Sequence, residues 1–245
     1  MENSERAHQI IGNLSSIRNR ITQACEKAGR SNDEVKLMLV TKTVKAEDIR
    51  LAISQGEDLI GENKVQELSQ KSPLLSDISY QKHFIGHLQT NKIKEVLKYA
   101  DCIQSIDRWD LAEKLQQRLE FENKHIDIFI QVNTSFEASK FGVHPDKAID
   151  LIKAIRQLDR LHIKGLMTIG LFDSNEERVR PSFRRLAQIK EEANQLPNIS
   201  IQELSMGMSG DLEIAIEEGA TIVRIGTAIF GERIYPDSHY WNENQ

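Results

Sequence analysis

From Val35 onward, short apolar runs alternate with charged stretches whose apolar residues recur every three or four positions. The runs are Lys36–Thr41, Asp58–Gly61, Gln81–Ile85, Cys102–Ser105, Ile126–Val132, Ile163–Thr168, Ile201–Leu204 and Ala220–Ile225. Short runs rich in branched residues read as strands buried on both faces, as in a parallel sheet. Between them the helical period centres on Ala46–Gln55, Asn63–Lys71, Thr90–Lys98, Arg108–Glu122, Pro145–Leu158, Glu176–Gln195 and Gly210–Glu218. Eight such runs over this length predict a single α/β (β/α)8 TIM barrel, and a doubly wound open sheet shares the same periodicity. Ahead of the first strand, Ile10, Ile11, Leu14, Ile17, Ile21 and Ala24 mark an amphipathic helix over Ser4–Ala28, ended by Gly29. Such a helix suits a barrel that uses it to close or cover one end. The expected organisation is one domain over residues 1–245, with the helix at about 4–28, the barrel at about 35–231 and a polar tail from Gly231 to Gln245.

Composition narrows the class. Apolar residues make up 39% and charged residues 28% of the 245, which fits a globular protein and excludes a disordered or collagen-like chain. The formal charge of −5 gives no basic footprint for nucleic acid. The charged start Met1-Glu2-Asn3-Ser4-Glu5-Arg6 has no apolar core of a signal peptide, and no stretch has the length of a membrane span. Cys25 and Cys102 lack metal-ligand spacing and read as buried small hydrophobes in a reducing, cytoplasmic setting. Asp146, Glu176, Glu177 and Glu191 read as solvated faces, and Asn91–Lys98 as a surface helix alternating charge with apolar residues.

Chemistry is expected at the carboxyl ends of the strands, where ligands bind in barrels and open sheets alike. Lys42 follows the first strand there. A desolvated lysine supplies the neutral amine that forms a Schiff base with an aldehyde cofactor, whereas a solvated strand-end lysine does no chemistry. The loop after the seventh strand, Ser205–Asp211, and the segment Arg224–Gly231 after the eighth contain glycines and hydroxyls suited to a phosphate cradle. Gly207 and Gly226 permit close backbone approach, and Ser209 and Thr227 add hydroxyls. Ser209 serves equally as a helix N-cap. Arg224 either faces the same rim or pairs with a carboxylate.

The stretches Thr41–Thr43, Gly61–Glu67, His83–Lys92, Gly165–Thr168, Leu204–Ser209 and Val223–Gly231 together resemble those of the pyridoxal-phosphate homeostasis proteins, the YggS/PROSC family. The resemblance runs from Lys36 to Gly231. It implies a fold type III barrel like the N-terminal domain of alanine racemase, with Lys42 holding pyridoxal 5'-phosphate as a Schiff base. It further implies that Ser209, Gly226 and Thr227 bind the phosphate with Met208 alongside, that Arg224 faces the pyridine nitrogen and that Asn63 lies against the cofactor. Lys64 stands where the family commonly has tyrosine, and His87 where it has a small residue or proline.

The implied role is intracellular buffering or delivery of the cofactor by a monomer, with transient contact with pyridoxal-phosphate-dependent apoenzymes and without strong turnover. An arginine at the ring nitrogen cannot protonate it, which makes the ring a poorer electron sink. The alternative is an amino-acid racemase, but the tyrosine that a second domain supplies in racemases has no counterpart expected here. His83, His87, Tyr235 and Tyr240 are the remaining candidates for a second proton carrier, each read as structural. Lys140, in the loop after the fifth strand, reads as a solvated lysine with a possible part in cofactor transfer.

Overall fold

A computed structural model describes residues 2–231. Eight parallel strands follow one another around a closed barrel: β1 (Lys36–Val40), β2 (Leu59–Glu62), β3 (Gln81–Phe84), β4 (Cys102–Ile106), β5 (Ile126–Gln131), β6 (Leu161–Met167), β7 (Glu203–Ser205) and β8 (Ile222–Ile225). Closure is made by β1, which pairs with β2 through Leu39 and Ile60 and with β8 through Met38 and Arg224. An open sheet is thereby excluded. The helices are α1 (Glu2–Lys27), α2 (Ala46–Ser54), α3 (Val65–Lys71), α4 (Ile93–Val96), α5 (Trp109–Glu122), α6 (Pro145–Ile155), α7 (Glu176–Asn194), α8 (Leu212–Glu217) and α9 (Thr227–Phe230).

Strand alternation divides the apolar residues into two layers. Inside the barrel lie Met38, Leu59, Cys102, Phe129, Met167 and Ile222. Their neighbours Leu37, Leu39, Ile60 and Ile103 point outward into the larger core shared with the helices. Gly165 on β6 makes room for this inner filling, since a Cβ there would stand 2.3 Å from the Phe129 ring.

The first helix does not plug an end of the barrel. Its face of Ile10, Leu14, Ile17, Ile21 and Ala24 joins the outer core, and it packs against α2, α8 and α9. It stands in the helix ring where the one-turn α9 leaves space. The predicted helix over Thr90–Lys98 is shorter than expected: a 3-10 turn leads into the single turn α4.

Candidate functional site

Lys42 sits two residues past the end of β1 and is 7% exposed, so it is not a solvated strand-end lysine. The backbone on either side of it is held by one cluster of charges. Thr41 Oγ1 donates to Glu62 Oε1 at 2.6 Å. Lys71 Nζ donates to the Thr41 carbonyl at 2.6 Å, to Glu62 Oε1 at 2.7 Å and to Glu67 Oε2 at 2.7 Å. Glu67 Oε2 also accepts the Thr43 N–H at 2.6 Å, with Thr43 in the left-handed region at φ 65°. Burial pushes the Glu62 carboxyl up to about 7, against the pull of Lys71. Sequence reasoning missed these roles. The available signals were a carboxylate ending a buried strand and a Glu67–Lys71 pair one helical turn apart.

Arg224, on β8 opposite Met38, is 5% exposed. Among the described residues it makes no ion pair. Its Nη1 donates to Ser205 Oγ at 3.0 Å and its Nη2 to the Thr168 carbonyl at 2.7 Å. Burial lowers its guanidinium to about 10, with Asp211 acting in the opposite direction. A cation buried among neutral acceptors keeps an electrostatic demand for an anion or a lone pair from the mouth.

The two glycine loops meet at this strand. The Arg224 N–H donates to the Gly207 carbonyl at 2.9 Å. Gly207 has φ +92°, and a Cβ there would stand 2.5 Å from Ala215 Cβ. Gly226 presses against Val40, whose carbonyl would lie 3.0 Å from an added Cβ. It precedes α9, whose first amides have no partner within the helix. Thr227, at the start of that helix, is exposed. Ser209 is not the N-cap of α8; Asp211 is, and its Oδ1 accepts the Met208 N–H at 2.6 Å. The Ser209 carbonyl accepts from Arg20 Nη2 of α1 at 2.9 Å, which ties this loop to the first helix. Asn63 follows β2 with its Oδ1 buried and, among the described residues, without a hydrogen-bond partner. Its backbone is packed so closely against Gly86 that an added Cβ would lie 1.9 Å from the Asn63 carbonyl oxygen.

Other candidates lie differently from expectation. His83 lines a cleft of about 520 Å³ at the amino-terminal end of the barrel, with Lys36, Gln81 and Glu203, and is not at the mouth. His87 stacks on Phe141 with ring centroids 3.8 Å apart. Tyr235 and Tyr240 lie outside the described residues. Lys140 is not solvated: it bonds Glu137 and donates to the Gly170 carbonyl at 2.7 Å, joining the loops after β5 and β6. Lys64 precedes α3 and is half-buried. Cys25 and Cys102 are free and buried, and no group of metal-ligating side chains occurs among the described residues.

Residues 12–234 match the family of the alanine racemase N-terminal domain. The pyridoxal phosphate homeostasis protein of Aquifex aeolicus is 45% identical over 222 residues, covering 91% of this chain and 97% of the relative. That of Escherichia coli is 38% identical over 232 residues, covering 93% and 98%. The structure of PipY from Synechococcus elongatus with pyridoxal phosphate bound superposes with a TM-score of 0.77 at 32% identity, covering 91% of this chain and all of that one. An alanine racemase of Clostridium difficile shares the fold, with a TM-score of 0.75 at 13% identity. With this identity along nine-tenths of its length, the chain belongs to the pyridoxal phosphate homeostasis protein family, built on the alanine racemase N-terminal domain.

Proposed function

We propose that this protein binds pyridoxal 5'-phosphate through the amine of Lys42 and buffers or delivers it in the cytoplasm, as a monomer and without robust turnover. One observation carries the reading: a buried lysine and a buried, unpaired arginine stand at the mouth ends of adjacent strands β1 and β8. The donor set fits the cofactor. Lys42 would hold the aldehyde, Arg224 would donate to the pyridine nitrogen, and the partnerless Asn63 Oδ1 offers an acceptor. Ser209, Gly226 and Thr227, with Met208 beside them, would take the phosphate at the two loops that meet around Arg224. When bound, the cofactor supplies a reactive aldehyde and an electron sink. The names of the relatives, and the pyridoxal phosphate bound in PipY, support the same ligand.

Carriage is favoured over catalysis by the state of Arg224 and by where the candidate proton carriers lie. Arg224 keeps its proton, so the ring nitrogen stays a weak sink. Of the two histidines considered as proton carriers, one belongs to the opposite end of the barrel and the other is stacked on a phenylalanine. A general base needs both position and tuning, and His83, at the opposite end of the barrel, lacks the first. An amino-acid racemase is the disfavoured alternative. Recipient apoenzymes would be met transiently, at the open mouth.

Titration of the purified protein with pyridoxal 5'-phosphate should produce a visible absorbance band, and borohydride should bleach it while fixing the cofactor to Lys42. Lys42→Ala should lose both signals; a retained band sinks the assignment. Arg224→Ala should keep the covalent label but shift the band and speed exchange. Incubation with a panel of L-amino acids should yield no D-isomer or α-proton exchange above background.

A further inference from the structure

A chain of buried side chains crosses the barrel interior from Arg224 to the cleft at the opposite end. Arg224 Nη1 donates to Ser205 Oγ at 3.0 Å, Ser205 Oγ donates to Gln104 Oε1 at 2.7 Å, and Gln104 Nε2 lies 2.8 Å from His83 Nδ1. All four side chains are at most 7% exposed. A guanidinium has donors only, so the first link has one possible polarity. The Ser205 hydroxyl accepts from it and gives its own proton to the amide oxygen. With the Gln104 amide oxygen on the Ser205 side, the amide gives its N–H to His83, so Nδ1 accepts and the ring proton sits on Nε2.

We propose that Ser205 and Gln104 are positioning residues for Arg224, and that this one-way chain, anchored on the Nε2–H tautomer of His83, presets the guanidinium before a ligand arrives. The cofactor arm of this inference rests on the proposed binding of pyridoxal 5'-phosphate; the proton arm does not. Without Ser205 the Nη1 side of Arg224 loses its acceptor and only the Thr168 carbonyl holds the group. The position of a charged donor toward the ring is then no longer set. Burial, which lowers His83 to about 4, agrees with a neutral ring.

The test has two readouts. In ligand-free protein labelled with 15N-histidine, long-range proton–nitrogen spectra should show His83 Nδ1 unprotonated and Nε2 protonated. Gln104→Glu has no N–H to give, so the proton should move to Nδ1 while the Ser205 acceptor is kept. In titrations with pyridoxal 5'-phosphate, Ser205→Ala and Gln104→Met should weaken affinity by about five- to tenfold and shift the absorbance band, the size expected for one lost hydrogen bond. A protonated Nδ1 in the wild-type protein, or unchanged affinity and band in folded Ser205→Ala and Gln104→Met, overturns the proposal. If a variant fails to fold by thermal melting, the wild-type spectrum decides. If the wild type takes up no pyridoxal 5'-phosphate, the functional reading fails while the histidine spectra still judge the chain.

Discussion

At the scale of single residues, two buried titratable groups set opposite pH dependences. His83 is lowered from 6.5 to about 4 by burial. The unfolded chain therefore takes up a proton that the fold refuses, and stability is lost as pH falls from about 6.5 toward about 4, on the order of 3 kcal/mol. Glu62 is raised from 4.5 to about 7 by burial, so the fold keeps a proton that the unfolded chain releases. Its contribution declines as pH rises from about 4.5 to about 7. Across that shared window the two slopes oppose each other, and the wild-type profile should be nearly flat. Urea midpoints should then rise more steeply with pH in Glu62→Gln, and fall with pH in His83→Asn. Parallel profiles for the two variants contradict this. The buried positions of Lys42 and Arg224 at the carboxyl-end rim could be read from the sequence because one follows an apolar run and the other lies near the end of one. Those of Gln104 and Ser205 could not, because their contact joins positions 101 residues apart and exists only once the barrel closes.

At the scale of elements, α1 holds other segments by their carbonyls. Arg6 Nη2 donates to Phe230 O at 2.8 Å, Asn13 Nδ2 to Ile229 O at 2.9 Å, and Arg20 bonds both Ser209 O and Glu213. Arg20→Ala removes a partly exposed ion pair, so stability should fall by less than about 1 kcal/mol. Affinity for pyridoxal 5'-phosphate should drop several-fold as the loop after β7 loosens; equal affinity by titration disconnects α1 from that loop. Strands were readable from apolar runs, but β7 begins two residues later than expected. Ile201 is buried as predicted, yet its N–H and carbonyl are both taken by the Asn194 side chain, at 2.7 and 2.8 Å, and are lost to the ladder. Periodicity carries no sign of such a competitor. The predicted helix over Thr90–Lys98 is present but shortened by 3-10 geometry: a 3-10 turn opens it, and after α4 the bonds tighten to Lys98 N–H onto Glu95 O and Tyr99 N–H onto Val96 O.

At the scale of the whole molecule, the inner layer leaves no slack. Gly165→Ala would put a carbon 2.3 Å from Phe129 and 2.5 Å from the Glu203 carbonyl, on opposite sides of β6. Neither neighbour is a flexible chain end, so destabilisation of several kcal/mol is expected, read as a large drop in melting temperature or as insoluble protein. The ring is joined between its first strand and its last. During synthesis β1 thus waits with a bare edge until nearly all of the chain has left the ribosome, and a product released before Ile225 would expose two raw sheet edges instead of none. Nonsense truncations anywhere upstream of β8 should accordingly yield aggregates and not smaller working proteins.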